Sequence, residues 1–176
     1  MKHQYVNVDI TRIDYYGTDD NYIIKPNDYY CYAKEYSYDD KGNVTNIRYI
    51  REENSQYQDM LDKQVKDIYI EYDNRGNETK RYWLNGKGEE VDSSGNTNGN
   101  VKREKEYDIY GRLSRESWYG KGEGKARTTK EYEYDSFGRV ISTSTIRYAG
   151  DKKEILTEKK EYDKYGRCCK TYYLNG

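Results

Sequence analysis

Apolar and polar residues alternate along much of the chain with a period of two. Ile68, Ile70 and Tyr72 share one parity, with Tyr69 and Glu71 between them. Tyr132 and Tyr134 alternate with Glu131 and Glu133, and Tyr36 and Tyr38 flank Ser37. This is the pattern of β-strands, whose side chains point alternately to the two faces of a sheet. Each run leads into the same short segment. Residues 38–43, 72–77, 107–112, 134–139 and 162–167 all fit Y-D-x-x-G-[RN], and a degenerate copy, Ile13-Asp14-Tyr15-Tyr16-Gly17, precedes them.

The motif has a physical logic. An Asp at the start of a type I turn accepts local backbone N–H groups. A Gly three residues later takes the positive φ that a side chain resists. Asp39, Asp73, Asp108, Asp135 and Asp163, with Gly42, Gly76, Gly111, Gly138 and Gly166, are therefore read as structural turns at hairpin tips. Two residues beyond each Gly stand Val44, Glu78, Leu113, Val140 and Cys168; eight beyond stand Ile50, Leu84, Tyr119, Ile146 and Leu174. Equal parity predicts one buried stripe, with Cys168 as a small core filler and Cys169 turned outward.

A second turn closes the later units, at Leu84-Asn85-Gly86-Lys87, Tyr119-Gly120-Lys121-Gly122, Ala149-Gly150-Asp151-Lys152 and Leu174-Asn175-Gly176. Asn-Gly is a strong hairpin signal. Residues 86–100 read as a long flexible loop, and 52–64 as the only candidate helical turn or insertion. The expected fold is all-β: a repetitive antiparallel sheet of long hairpins, twisted or curved. Residues 1–33 form a degenerate first repeat or N-terminal cap, and 34–176 the repeat sheet.

Composition sharpens this picture. Leu, Ile, Val and Phe supply only 25 of 176 residues, a level that would suggest disorder in a chain of large net charge. Here 31 basic and 32 acidic residues leave a net charge of −1, and 24 tyrosines supply strand-forming apolar surface. The core is expected to be aromatic. Interleaved charge of both signs argues against a nucleic-acid partner, which would need a basic patch. No apolar run approaches the ~20 residues of a membrane span. The N-terminus lacks the ~7–15-residue apolar stretch of a secretory signal. The chain as written therefore reads as cytoplasmic, or as a fragment of an exported or cell-surface protein.

The run Glu131-Tyr132-Glu133-Tyr134-Asp135-Ser136-Phe137-Gly138-Arg139-Val140 resembles the YD or RHS repeat family of bacterial wall-associated proteins, polymorphic toxins and teneurins. The likeness covers roughly residues 34–176. It implies a spiralling antiparallel sheet, and carbohydrate binding has been attributed to such repeats. Large members wrap into a shell that encloses a toxin domain. This chain has too few repeats to enclose one and no evident toxin or self-cleaving segment.

Little in the sequence points to catalysis. His3 is the single histidine, and Cys31, Cys168 and Cys169 have no spacing that joins them to it. The turn aspartates lack the alternate oxygen ligands of a calcium loop. Gly120-Lys121-Gly122-Glu123-Gly124 lacks the Lys-Ser/Thr ending of a phosphate loop. No catalytic residue, metal or cofactor is expected. The candidate ligand-binding residues are aromatic: Tyr49, Trp83, Trp118, Tyr148 and Tyr173. If one face is the core, the other would display them as a column suited to a glycan or a protein partner. The last strand, 167–174, would offer an open edge for self-association or a partner strand.

Overall fold

The computed structural model describes residues 11–16, 31–51, 58–150 and 152–176. His3, Pro26 and most of the expected N-terminal cap lie outside them. The strands are β1 (Arg12–Asp14), β2 (Ala33–Tyr38), β3 (Val44–Ile50), β4 (Val65–Tyr72), β5 (Glu78–Asn85), β6 (Glu90–Val91), β7 (Lys102–Tyr107), β8 (Leu113–Tyr119), β9 (Thr128–Tyr134), β10 (Val140–Ala149), β11 (Lys152–Tyr162) and β12 (Cys168–Asn175). A one-turn helix, α1 (Gln58–Leu61), falls in the 52–64 stretch. The strands make one open, 12-stranded antiparallel sheet in chain order, with β6 off the path against β5.

The five Y-D tips join β2–β3, β4–β5, β7–β8, β9–β10 and β11–β12. Their glycines all take φ between 80° and 85°, as the motif requires. Each tip also carries a bulge. Tyr38 pairs with Val44 while Ser37 pairs with Asn46, so Thr45 has no opposite residue. Thr79, Ser114, Ile141 and Cys169 occupy the same place in the other hairpins. One extra residue reverses strand parity. The positions two and eight beyond the Gly therefore lie on opposite faces, and the single stripe expected from parity does not form. Cys168 is exposed on β12 and is not a core residue.

The junctions between hairpins share one register. The residue four beyond a turn Gly pairs with the residue three before the next motif Tyr: Asn46 with Tyr69, Lys80 with Glu104, Arg115 with Glu131, Ser142 with Lys159. Length differences between repeats fall at the other edge of the sheet, where they leave this register untouched.

The apolar core is local. Cys31, Tyr49, Val65, Ile68, Ile70 and Val91 form a buried cluster, joined by Tyr15, Ile47, Tyr72 and Trp83. Ile47, Ile68, Trp83 and Val91 pair successively across β3, β4, β5 and β6, so they share a face. Arg51 donates to the carbonyl oxygens of Leu61, Gln64 and Val65, tying the α1 insertion to the rim of this cluster.

Residues 86–100 contain more order than the expected flexible loop. Asn85 accepts the N–H groups of Lys87 and Glu89, and Asp92 those of Ser94 and Asn96. Gly88 and Gly95 take positive φ. These are two further copies of the Asp/Asn-x-x-Gly turn, with β6 between them. Gly88, not Gly86, is the left-handed residue, so Asn85-Gly86 is not the two-residue hairpin its sequence suggested.

Candidate binding surface

Each Y-D tip is closed by its own aspartate. In each tip the Asp Oδ1 accepts two N–H groups, from the residues two and four further on: Tyr110 and Arg112 onto Asp108, Phe137 and Arg139 onto Asp135. Oδ2 accepts from the last motif side chain, Arg112 Nε or Arg139 Nε at 2.7 Å, or Asn43 Nδ2 and Asn77 Nδ2 at 2.9 Å in the first two tips. The side-chain and backbone bonds from Asn43 and Asn77 hold Asp39 and Asp73 below the usual carboxylate range. Desolvation opposes this at Asp108 and Asp135, but the bonds from Arg112 and Arg139 outweigh it. At Asp163 the Arg167 N–H leads the same lowering.

The motif tyrosines then join one hairpin to the next. Tyr72 Oη donates to Val44 O, Tyr107 to Glu78 O, Tyr134 to Leu113 O and Tyr162 to Val140 O, at 2.8–2.9 Å. Every acceptor is the first residue of the preceding outbound strand. The guanidinium of Arg112 lies 4.4 Å from the Tyr134 ring centroid, and that of Arg139 4.5 Å from the Tyr162 ring. One arginine thus locks its own turn and covers the tyrosine of the next. The alternation of the flanks says nothing of this bridge. The recurring Tyr at the motif's first position and Arg or Asn at its last were the visible signals.

The aromatic candidates do not line up as one exposed column. Tyr49, Trp83, Trp118 and Tyr173 do share a face, but it is the face that holds the core cluster. Tyr49 is 5% exposed and Trp83 packs against the cluster. Trp118 is half-buried beneath Lys130, and only Tyr173, 62% exposed, is open. Tyr148 points to the opposite face. There it lines a polar groove of about 980 Å³, floored by Arg115, Ser117 and Thr129. The Ser117 and Thr129 hydroxyls are 3.2 Å apart and buried, and Arg127 is held by Glu123 and by the carbonyls of Asn98 and Gly99.

Glu78 is a half-buried carboxylate set among three cations. Its carboxylate lies 2.6 Å from Arg81, 2.8 Å from Arg103 and 3.3 Å from Lys105. Burial alone would raise the Glu78 carboxyl, but the Arg103 hydrogen bond and the charges of Arg81 and Lys105 hold it below its ordinary value. Among the described residues no group of three or more His, Cys, Asp or Glu side chains is placed to hold a metal. Among them, too, no helix is long and apolar enough to cross a membrane.

No protein-family model matches the chain, and no curated protein matches it. Among solved structures it is similar to a chain of a mutant Tc holotoxin pore of Photorhabdus luminescens, at 14% identity and a TM-score of 0.25. The match covers 81% of this chain and 9% of that one.

Proposed function

We propose that the protein is a non-catalytic β-scaffold, a structural or binding module of a toxin-related or bacterial surface protein. The resemblance of its five turns to YD/RHS repeats suggests that setting. One observation carries the scaffold reading. The groups that chemistry would need, the turn carboxylates, the turn arginines and the motif tyrosine hydroxyls, are spent on contacts that repeat from hairpin to hairpin. A catalytic site requires convergent groups freed for a substrate and shifted for their task. Here the turn shifts accompany hydrogen bonds that hold the turns closed.

The test is a turnover screen of the purified full chain against ester, phosphoester, glycoside, peptide and nucleic-acid substrates, run beside thermal unfolding. The scaffold reading expects cooperative unfolding and no turnover that co-elutes with the protein. Turnover that follows the protein through successive columns would overturn it.

A further inference from the structure

We propose that the row of Y-D tips along one edge of the sheet is a docking site for a proline-rich segment of a partner protein, bound as a polyproline II helix with a proline at every third position. This names a partner for the binding module proposed above and rests on that reading.

The residue directly before the turn Gly is aromatic in three neighbouring hairpins: Tyr110, Phe137 and Tyr165. They are 76%, 81% and 71% exposed. Scattered exposed apolar residues are ordinary, but these three repeat one place in the motif and are held in one way. The guanidinium of the residue two further on, Arg112, Arg139 or Arg167, lies 5.0–5.2 Å from the ring centroid. That guanidinium is fixed in turn by the turn Asp, at 2.6–2.8 Å. Each ring is thus propped by its own turn and still open to an incoming group. Tyr110 and Phe137 are open although a hairpin packs on each side of theirs. The exposure therefore belongs to the tips, and a further hairpin would lengthen the row instead of covering it.

Spacing selects the occupant. Strands β7 to β12 are successive neighbours in the sheet, so consecutive tips lie two strands apart, about 9.4–9.8 Å at ordinary strand spacing. Tips further along the row touch directly: Lys41 Nζ donates to Asn74 O at 2.9 Å, and Arg75 Nη1 to Ile109 O at 2.8 Å. A polyproline II helix has three residues per turn and rises ~3.1 Å per residue, so every third side chain repeats at ~9.3 Å. Pro-x-x-Pro-x-x-Pro would therefore meet the three rings in step. A β-strand, which repeats a face at about 6.6–6.8 Å, would not. Aromatic surfaces are the usual receivers of such helices, which arrive already ordered.

Charge agrees with this choice. The three arginines are paired with aspartates, and Lys164 adds one cation, 4.9 Å from the Tyr165 ring. A rim so nearly neutral suits an uncharged apolar segment better than lipid headgroups or phosphates. In the next tip along, the aromatic is replaced by Arg75. A glutamate one helical turn beyond the proline on Tyr110 would meet that cation and fix which end of the segment lies there.

The experiment titrates the full chain into fluorescein-labelled Glu-Ala-Gln-Pro-Ala-Gln-Pro-Ala-Gln-Pro and reads fluorescence anisotropy. Saturable binding is expected. Tyr110→Ala and Phe137→Ala should each weaken it roughly three- to tenfold, the worth of one aromatic contact. Their melting curves should not change, because both residues are exposed at turn tips. An isomer of the peptide with its three prolines contiguous should bind more weakly, since it can set only one proline in step. Arg75→Glu should weaken the peptide and favour a version that begins with Lys. Absence of binding by folded wild-type protein would overturn the proposal. So would equal binding of the contiguous isomer, or undiminished binding by Phe137→Ala. Capture of phosphatidylserine vesicles or of oligosaccharides by these rings in place of the peptide would overturn it too. Turnover in the same preparation would bear on the scaffold reading alone.

Discussion

The hydroxyl of Tyr134 donates to the backbone carbonyl oxygen of Leu113 at 2.8 Å, across the junction between two hairpins. The bond explains why the repeat carries tyrosine where phenylalanine would fill the same volume. Tyr134→Phe and Tyr162→Phe should each cost about 0.5–1.5 kcal/mol, the net worth of one hydrogen bond. Urea unfolding measures this. Variants as stable as the wild type would show that the hydroxyls do not couple the hairpins.

The turn carboxylates set a pH dependence. All five turn aspartates are held below their ordinary values in the folded chain. The unfolded chain, with ordinary aspartates near pKa ~3.9, binds more protons as the pH falls through that range. Their contribution is therefore fully present above about pH 5 and is lost as the pH falls through the folded-state values. The melting temperature should be flat between about pH 7 and 5 and drop below about pH 4. Asp135→Asn should cost less than Asp135→Ala, because Asn85 already shows an amide accepting both turn N–H groups. Melting curves that rise on acidification would contradict this account of the turns.

Glu78 holds a cationic cluster together. Glu78→Gln keeps the shape and removes the charge that Arg81, Arg103 and Lys105 share. A loss of about 1.5–3 kcal/mol is expected, the scale of hydrogen bonds to charged groups. Chemical denaturation at low and at high salt checks it. A variant as stable as the wild type would show that the cluster is solvated rather than structural.

The apolar cluster should be sensitive in the ordinary way. Ile70 is 5% exposed among Val65, Ile68 and Val91. Ile70→Ala should cost about 2–5 kcal/mol through lost transfer energy and a residual cavity. Ile109→Ala, at an exposed turn tip, should change little. Equal effects at the two sites would deny the cluster its place as the core.

Much of the fold was legible because strand alternation and turn chemistry are local. Asp135 and Gly138 announce their turn within four residues, and the antiparallel sheet follows from tips repeated in series. The faces were not legible. A single unmatched residue, Thr45 in the first hairpin, reverses which side the rest of its strand presents. Parity carried across that bulge put Val44 and Ile50 on one face. It also separated the aromatic column from the core that Tyr49 and Trp83 join. The turns at Asn85 and Asp92 were hidden by composition, since Gly, Ser and Asn serve a tight turn as well as a loose loop. The bridge from Tyr134 to Leu113 joins residues of different hairpins, so only the register of the assembled sheet brings them together.

The most direct test of the scaffold is amide hydrogen exchange followed along the whole chain in the wild type and in Tyr134→Phe. If side-chain bridges couple neighbouring hairpins, exchange should quicken in both β8 and β9, on the two sides of the broken bond, and stay unchanged in β3 and β4. Exchange that is unaltered in β8 and β9, or that quickens evenly throughout the sheet, would contradict it.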